Sequence, residues 1–173
     1  MSEISICRER EGDVSAIRNV IVSAFGGEAE ADLVEIIRKN NKHELSLVAI
    51  QSEQIVGHIF FTPASIYAHG EKSELRVVAL GPLTVLPSHH SMGIGSQLVR
   101  EGLAICRNSG YEIMIVMGKH QFYRRFGFAP ARDYALRFAR KTSEDLWLVT
   151  ELQNHKLHNL CGIAKYLTEF DIL

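Results

Sequence analysis

The chain has 173 residues, 46% hydrophobic and 23% charged, a size and mix that suit one folded domain and argue against disorder. A chain this long can bury roughly 70% of the surface its unfolded form exposes, so its core needs neither disulfides nor a structural metal. Nineteen Lys plus Arg against twenty Asp plus Glu leave a net charge of −1, which removes the electrostatic basis for a dedicated nucleic-acid or membrane-surface binder.

Cys7, Cys106 and Cys161 are widely separated and form no CxxC pair, so neither a disulfide framework nor a zinc ribbon is supported and a reducing cytoplasm is the expected compartment. Residues Met1 to Ile6 show no basic region followed by an apolar stretch, so a signal peptide is not expected. The longest apolar tract, Val77 to Leu86, contains Gly81 and Pro82 and falls far short of the roughly 20 residues of a membrane helix. Neither a linker nor a repeat stands out, and residues 1–173 read as a single domain.

Ile4 and Ile6 alternate with Ser5 and Cys7 as in a short edge strand. After Gly12-Asp13, Val14, Ile17, Ile21 and Phe25 recur at helical spacing until Gly26-Gly27, and Leu33, Ile36 and Ile37 suggest a second helix from about Glu28 to Lys39. Leu45 to Ile50, a turn at Gln51 to Gln54, and Ile55 to Ala68 predict a β-hairpin; a turn at His69 to Ser73 leads to a third strand, Glu74 to Leu86. Ile94, Leu98, Gly102 and Ile105 mark an amphipathic helix from Gly93 to Asn108, and the apolar run Ile113 to Val116 predicts a buried strand from Glu112 to Met117 of the kind found in parallel sheets. Farther on, Gln121 to Arg125 reads as one helical turn, Tyr134 to Phe138 and Leu146 to Leu152 as closing strands. Leu157, Leu160, Cys161, Ala164 and Leu167 fit a helical face that contains Gly162.

Chemistry concentrates between Leu80 and Ser96. Proline cannot donate to a sheet ladder, so Gly81-Pro82 inside an apolar strand predicts a bulge where pairing with a neighbour fails. Leu83, Thr84 and Val85 are then left with free main-chain groups, which an extended amide-bearing ligand can pair as an added strand. Gly93 and Gly95 let the backbone approach a ligand at a helix start, where unpaired N–H groups favour phosphate oxygens. Coenzyme A has amides along a thin arm and a pyrophosphate at its end. A GxG by itself is equally well a structural turn, and neither a P-loop nor the full dinucleotide fingerprint is present.

Three stretches together resemble the GNAT superfamily of acetyl-CoA-dependent N-acetyltransferases, and within it the YhbS-like branch: Ala79 to Pro87, Met92 to Leu98, and Phe122-Tyr123-Arg124-Arg125-Phe126-Gly127-Phe128. The resemblance covers most of the chain. It implies an α/β (α+β) fold with a mixed, splayed central sheet flanked by helices on both faces. Acetyl-CoA is then the co-substrate, its pantetheine arm paired with Leu83, Thr84 and Val85 and its pyrophosphate on backbone amides of Ser91, Met92, Gly93, Ile94, Gly95 and Ser96. The superfamily's loop usually begins with Gln or Arg; here His90 takes that position and can still donate a hydrogen bond.

By the same resemblance Tyr123 is the candidate general acid that protonates the leaving thiolate. No base stands out. Glu28 and His120 are candidates, with Glu30, Glu74 and His58 behind them. The implied reaction is direct transfer of acetyl to a primary amine, borne by a small molecule or a protein, in a ternary complex; the alternative is an acyl-CoA-binding sensor or scaffold without turnover. No metal, nucleic-acid or membrane partner is expected, and a homodimer stays open. His155-x-x-His158 can place two imidazoles on one helical face, but no third ligand has recognisable spacing. Arg124, Arg125, Arg132, Arg137, Arg140 and Lys141 form a basic cluster that reads first as a solvated face and second as a contact for the coenzyme's 3′-phosphate or an acidic substrate. Cys106, at an apolar helix position, reads as core.

Overall fold

The computed structural model describes residues 3–139 and 143–173. Its elements are β1 (Ile4–Arg8), α1 (Val14–Phe25), α2 (Ala29–Lys39), β2 (Leu45–Gln51), β3 (Gln54–Ala68), β4 (Glu71–Lys72), β5 (Val77–Val85), α3 (Ile94–Asn108), β6 (Ile113–Met117), α4 (His120–Tyr123), β7 (Ala129–Pro130), β8 (Leu136–Phe138), β9 (Trp147–Glu151) and β10 (Gly162–Lys165), joined in places by short 3₁₀ turns. The strand pairing is mixed: β5–β6 and β8–β10 are parallel and the other registered pairs antiparallel. No helix among the described residues is long and apolar enough to cross a membrane.

The chain divides into two compact units, with β3, β5 and α3 each passing from one into the other. The first comprises residues 3–61, 81–102 and 168–173. Its strands run β1–β2–β3–β5, and β1 pairs Ile4 to Arg8 with Gln51 to Leu47. Helix α1 buries Ile17, Val20 and Ile21, and α2 buries Leu33, Val34 and Ile37, as the 3.6-residue spacing of apolar side chains requires. The α1 C-cap is Gly26, at φ +76°, whose N–H closes the last turn on the Val22 carbonyl at 2.8 Å. Ser52 and Glu53, both at positive φ, turn β2 into β3, as a primed two-residue hairpin loop demands.

The second unit comprises residues 62–80, 103–139 and 143–167. The first half of β5 pairs in parallel with β6, Val77 opposite Ile113 through Leu80 opposite Val116, and the strand order continues β6–β9–β7. β6 is buried from Ile113 to Val116, which accounts for its unbroken apolar run. Phe138 stacks on Trp147, ring centroids 3.8 Å apart, beside Tyr166. This aromatic group packs on a core that includes Val77, Ile115 and Val149.

Two expectations for the tail are corrected. The helical face from Leu157 to Leu167 does not form: Gly162 to Lys165 is β10, antiparallel to β3 and parallel to β8. Gly162 sits at φ +150°, and a Cβ there would lie 2.3 Å from the Tyr67 carbonyl oxygen, so only glycine lets this strand approach β3. The expected strand from Tyr134 shortens to Leu136–Phe138 because Ala131–Tyr134 winds into a 3₁₀ turn.

Candidate functional site

Strand β5 runs through Gly81-Pro82, which is a cis peptide bond, with Gly81 at φ +148°. The strand runs on through these two residues, and its register with β6 ends at Leu80, where the sequence expects pairing with a neighbour to fail. In the first unit, β3 holds the far half of β5: the Leu86 N–H donates to the Val56 carbonyl at 2.9 Å, and the buried Thr84 hydroxyl to the His58 carbonyl at 3.3 Å. One edge of Leu83, Thr84 and Val85 therefore lies toward β3.

A 3₁₀ turn, Pro87–His89, reverses the chain after this strand. His90 Nε2 lies 2.9 Å from the Val85 carbonyl oxygen, an acceptor, so Nε2 carries the proton and donates. The ring offered to phosphate by the sequence is thus engaged with the main chain through one nitrogen. Ser91, Met92 and Gly93 are exposed, and Ser91 at φ +63° and Gly93 at φ +79° bend the loop into α3. The Gln97 N–H closes the first turn on the Gly93 carbonyl at 3.1 Å, and the amides of Ile94, Gly95 and Ser96 precede it at the helix end, where no carbonyl of the same helix reaches them. Ile94 is buried beneath this turn, fixing the amides from below. What the loop presents to a ligand is mainly main-chain N–H, suited to phosphate oxygens.

In the second unit, Tyr123 closes the single turn of α4 and is only 7% exposed. Phe122 meets it edge-on at 4.9 Å and Phe128 at 5.5 Å. Gly118 makes room for the ring, since a Cβ there would lie 2.4 Å from Tyr123 Cε2. Burial pushes the phenol above its ordinary value, so it stays protonated at neutral pH. His120 is exposed at the start of the same turn.

The other base candidates are scattered. Glu28, the residue before α2, holds Arg18 at 3.0 Å, and Arg18 also takes Asp32 at 2.8 Å and Glu35 at 2.9 Å. Glu74 is exposed, and Glu30 lies in the first turn of α2. His58 is fully buried, which unsuits it to meet a substrate. Sequence reasoning missed its setting, a network that joins α2, β2 and β3 to Glu9, the residue after β1. Arg38 grips Glu9 with two hydrogen bonds at 2.8 and 2.9 Å; Ser46 donates to Glu9, and its oxygen lies 2.9 Å from His58 Nε2. Burial drives the His58 ring down to about 3, against the opposing pull of Glu9. Burial alone would raise the Glu9 carboxyl, but the hydrogen bonds from Arg38 and Ser46 hold it below its usual range.

His155 and His158 lie in turns, with no helix to set them on one face. They line a cavity of about 400 Å³ with Thr150 and Glu151, and Glu151 organises the loop by accepting the N–H groups of Lys156 and Leu157 at 3.0 and 3.3 Å. Among the described residues no group of three or more His, Cys, Asp or Glu is placed to hold a metal. The basic cluster is partly spent: Arg132 pairs with Asp145, and Arg125 donates to the Phe122 carbonyl and lies over that ring. Arg140 and Lys141 lie outside the described residues. Cys106 is buried, as expected of a core position.

Residues 5–131 match the family model described as an acetyltransferase (GNAT) domain. The uncharacterized N-acetyltransferase YhbS of Escherichia coli K12 is 31% identical over 160 residues, 92% of this chain and 93% of that protein. Another Escherichia coli K12 protein, the uncharacterized N-acetyltransferase YjhQ, is 38% identical over 122 residues, 69% of this chain and 66% of its own length. The crystal structure of Escherichia coli YhbS in complex with CoA superposes with a TM-score of 0.92 at 30% identity, covering 99% of this chain and 93% of the other. A Brucella melitensis GNAT acetyltransferase in complex with acetyl-CoA gives 0.80 at 30% identity, covering 99% and 100%. The family and the mixed α/β fold read from the sequence are both confirmed.

Proposed function

Because the chain belongs to the GNAT family of acetyltransferases, we propose that it moves an acetyl group from acetyl-CoA to a primary amine, directly and within a ternary complex. The carrying observation is the state of β5: β3 holds one edge as far as Leu86, whereas the register with β6 stops at Leu80. The other edge of Leu83, Thr84 and Val85 takes the amides of the pantetheine arm, as an added strand would. Amides from Ser91 through Ser96 receive the pyrophosphate. That two relatives about 30% identical to this chain were crystallised with CoA and acetyl-CoA supports the same ligand here.

The amine attacks the thioester carbonyl to give a tetrahedral intermediate with a negative oxygen and a positive nitrogen; its collapse breaks the C–S bond and expels the CoA thiolate, and the nitrogen's extra proton leaves to water to give the amide. Tyr123 is the proposed donor of the proton that thiolate takes, since a buried phenol holds its proton at neutral pH. An ammonium acceptor must first lose a proton. His120 is better suited to accept it than Glu28, whose carboxylate is engaged by Arg18. Holding the two reactants against each other accelerates the transfer by proximity. Both units serve one acetyltransferase domain in this reading, since the family match runs from residue 5 to 131. Three cysteines without a disulfide fit a reducing compartment such as the cytoplasm.

The test is calorimetry with acetyl-CoA followed by thiol release with a panel of amines, from polyamines and amino acids to lysine peptides. Saturable binding and amine-dependent CoA release are expected. Binding with no release from any amine points to a sensor instead, and no binding removes the reading.

A further inference from the structure

The β2–β3 register slips by one residue: Ala49 is opposite Gly57 and Ile50 opposite Ile55, so Val56 is the extra residue of a β-bulge. Bulges re-aim the residues they carry. Val56 takes the Leu86 N–H at 2.9 Å, His58 takes the Thr84 hydroxyl at 3.3 Å, and Gly57 lies between them. A Cβ on Gly57 would come within 3.2 Å of the Thr84 carbonyl oxygen, 3.1 Å of Ile94 Cγ2 and 3.2 Å of Leu98 Cδ1. A single methyl group at this position would thus meet both the strand and the first turn of the helix assigned to the coenzyme. The hairpin explains neither the slip nor the glycine, because a plain strand needs neither.

We propose that the Val56–Gly57 bulge is a positioning element that sets the spacing between the pantetheine-binding strand and the pyrophosphate-binding start of α3. The inference rests on the acetyl-CoA reading above. A methyl group at residue 57 has to displace its neighbours by a few tenths of an ångström. The Thr84 carbonyl belongs to the main chain and cannot rotate away, and Ile94 Cγ2 sits on a β-branched, fully buried side chain with little freedom to turn, so the strain reaches both strand and helix, because close-packed interiors pass it on. A long ligand bound at both ends feels that change, whereas a fragment bound at one end does not, since linking two contacts pays only when the span fits.

Gly57→Ala is compared with the natural chain for acetyl-CoA turnover and for inhibition by CoA, by ADP and by pantetheine. The expected result is a rise of about tenfold in the KM for acetyl-CoA and in the CoA inhibition constant. With saturating coenzyme kcat stays within about twofold, and ADP and pantetheine keep their constants. Gly12→Ala, at a glycine with open space around it, is the control and changes nothing. If Gly57→Ala fails to fold, Gly57→Ala/Leu98→Val, which removes Leu98 Cδ1 and leaves the Thr84 carbonyl contact in place, is used instead with a smaller rise expected. Unchanged CoA binding in a folded variant overturns the proposal, as does an equal loss for the two fragments. A natural chain that binds no CoA overturns the functional reading instead.

Discussion

The segment assigned to the coenzyme and the residue assigned to protonate it are built in opposite ways. Residues 83–96 offer main-chain groups on a strand end, an exposed loop and a helix start, whereas Tyr123 offers one hydroxyl on a ring packed between Phe122 and Phe128. A main-chain site depends on the path of the backbone and tolerates exchange of the side chains along it. A side-chain site is lost with one atom. On the main-chain side, the His90 ring steadies the loop through the Val85 carbonyl, and the loop's amides do not depend on it.

The contrast is broken most decisively at Tyr123. Tyr123→Phe keeps the ring and should lower kcat about 100-fold, within the range typical of a lost general acid, while the KM for acetyl-CoA stays within about twofold. Steady-state kinetics check it, and an unchanged kcat would falsify the acid assignment.

A smaller effect separates the segment assigned to the coenzyme from the network around the buried His58. His58 takes up a proton below its usual 6.5 in the unfolded chain but only near 3 in the folded one. The unfolded state therefore binds more protons between those values, and stability falls as the pH drops through that window, by up to about 1.4 kcal/mol per pH unit. Glu9, held low when folded, acts in the same sense at the acid end, since its contribution is present above its unfolded value and lost below it. Urea unfolding at pH 7, 6 and 5 should show the decline, and His58→Asn should flatten it. A natural chain equally stable at all three values removes the link.

The smallest effects sharpen the main-chain side. His90→Ala should raise the dissociation constant for CoA about threefold by loosening the loop, and Ser96→Ala less than twofold, because the amide and not the hydroxyl is the contact. Calorimetry reads both; a tenfold loss at Ser96 makes the side chain the ligand.

Periodicity was legible wherever one face of an element is buried. The spacings of α1 and α2 and the unbroken run of β6 each follow from which sides meet the core. The tail misled because Leu157 and Ala164 are both buried, one from a turn and the other from a strand, and seven residues apart they mimic two helical turns. Gly162 was the warning there. Gly57 is likewise a glycine within an expected strand, and nothing local in the chain says what approaches it. The network of Glu9, Arg38, Ser46 and His58 joins residues far apart in the chain, and no spacing rule links them.

The aim of the Tyr123 phenol is set by an omission. With 2.4 Å between its Cε2 and any Cβ at residue 118, every other amino acid there would tilt the ring before it touched anything else. Under the general-acid role proposed for Tyr123, a substitution at 118 re-aims the donor without touching its own hydroxyl, and so offers a way to separate where the donor points from whether it is present.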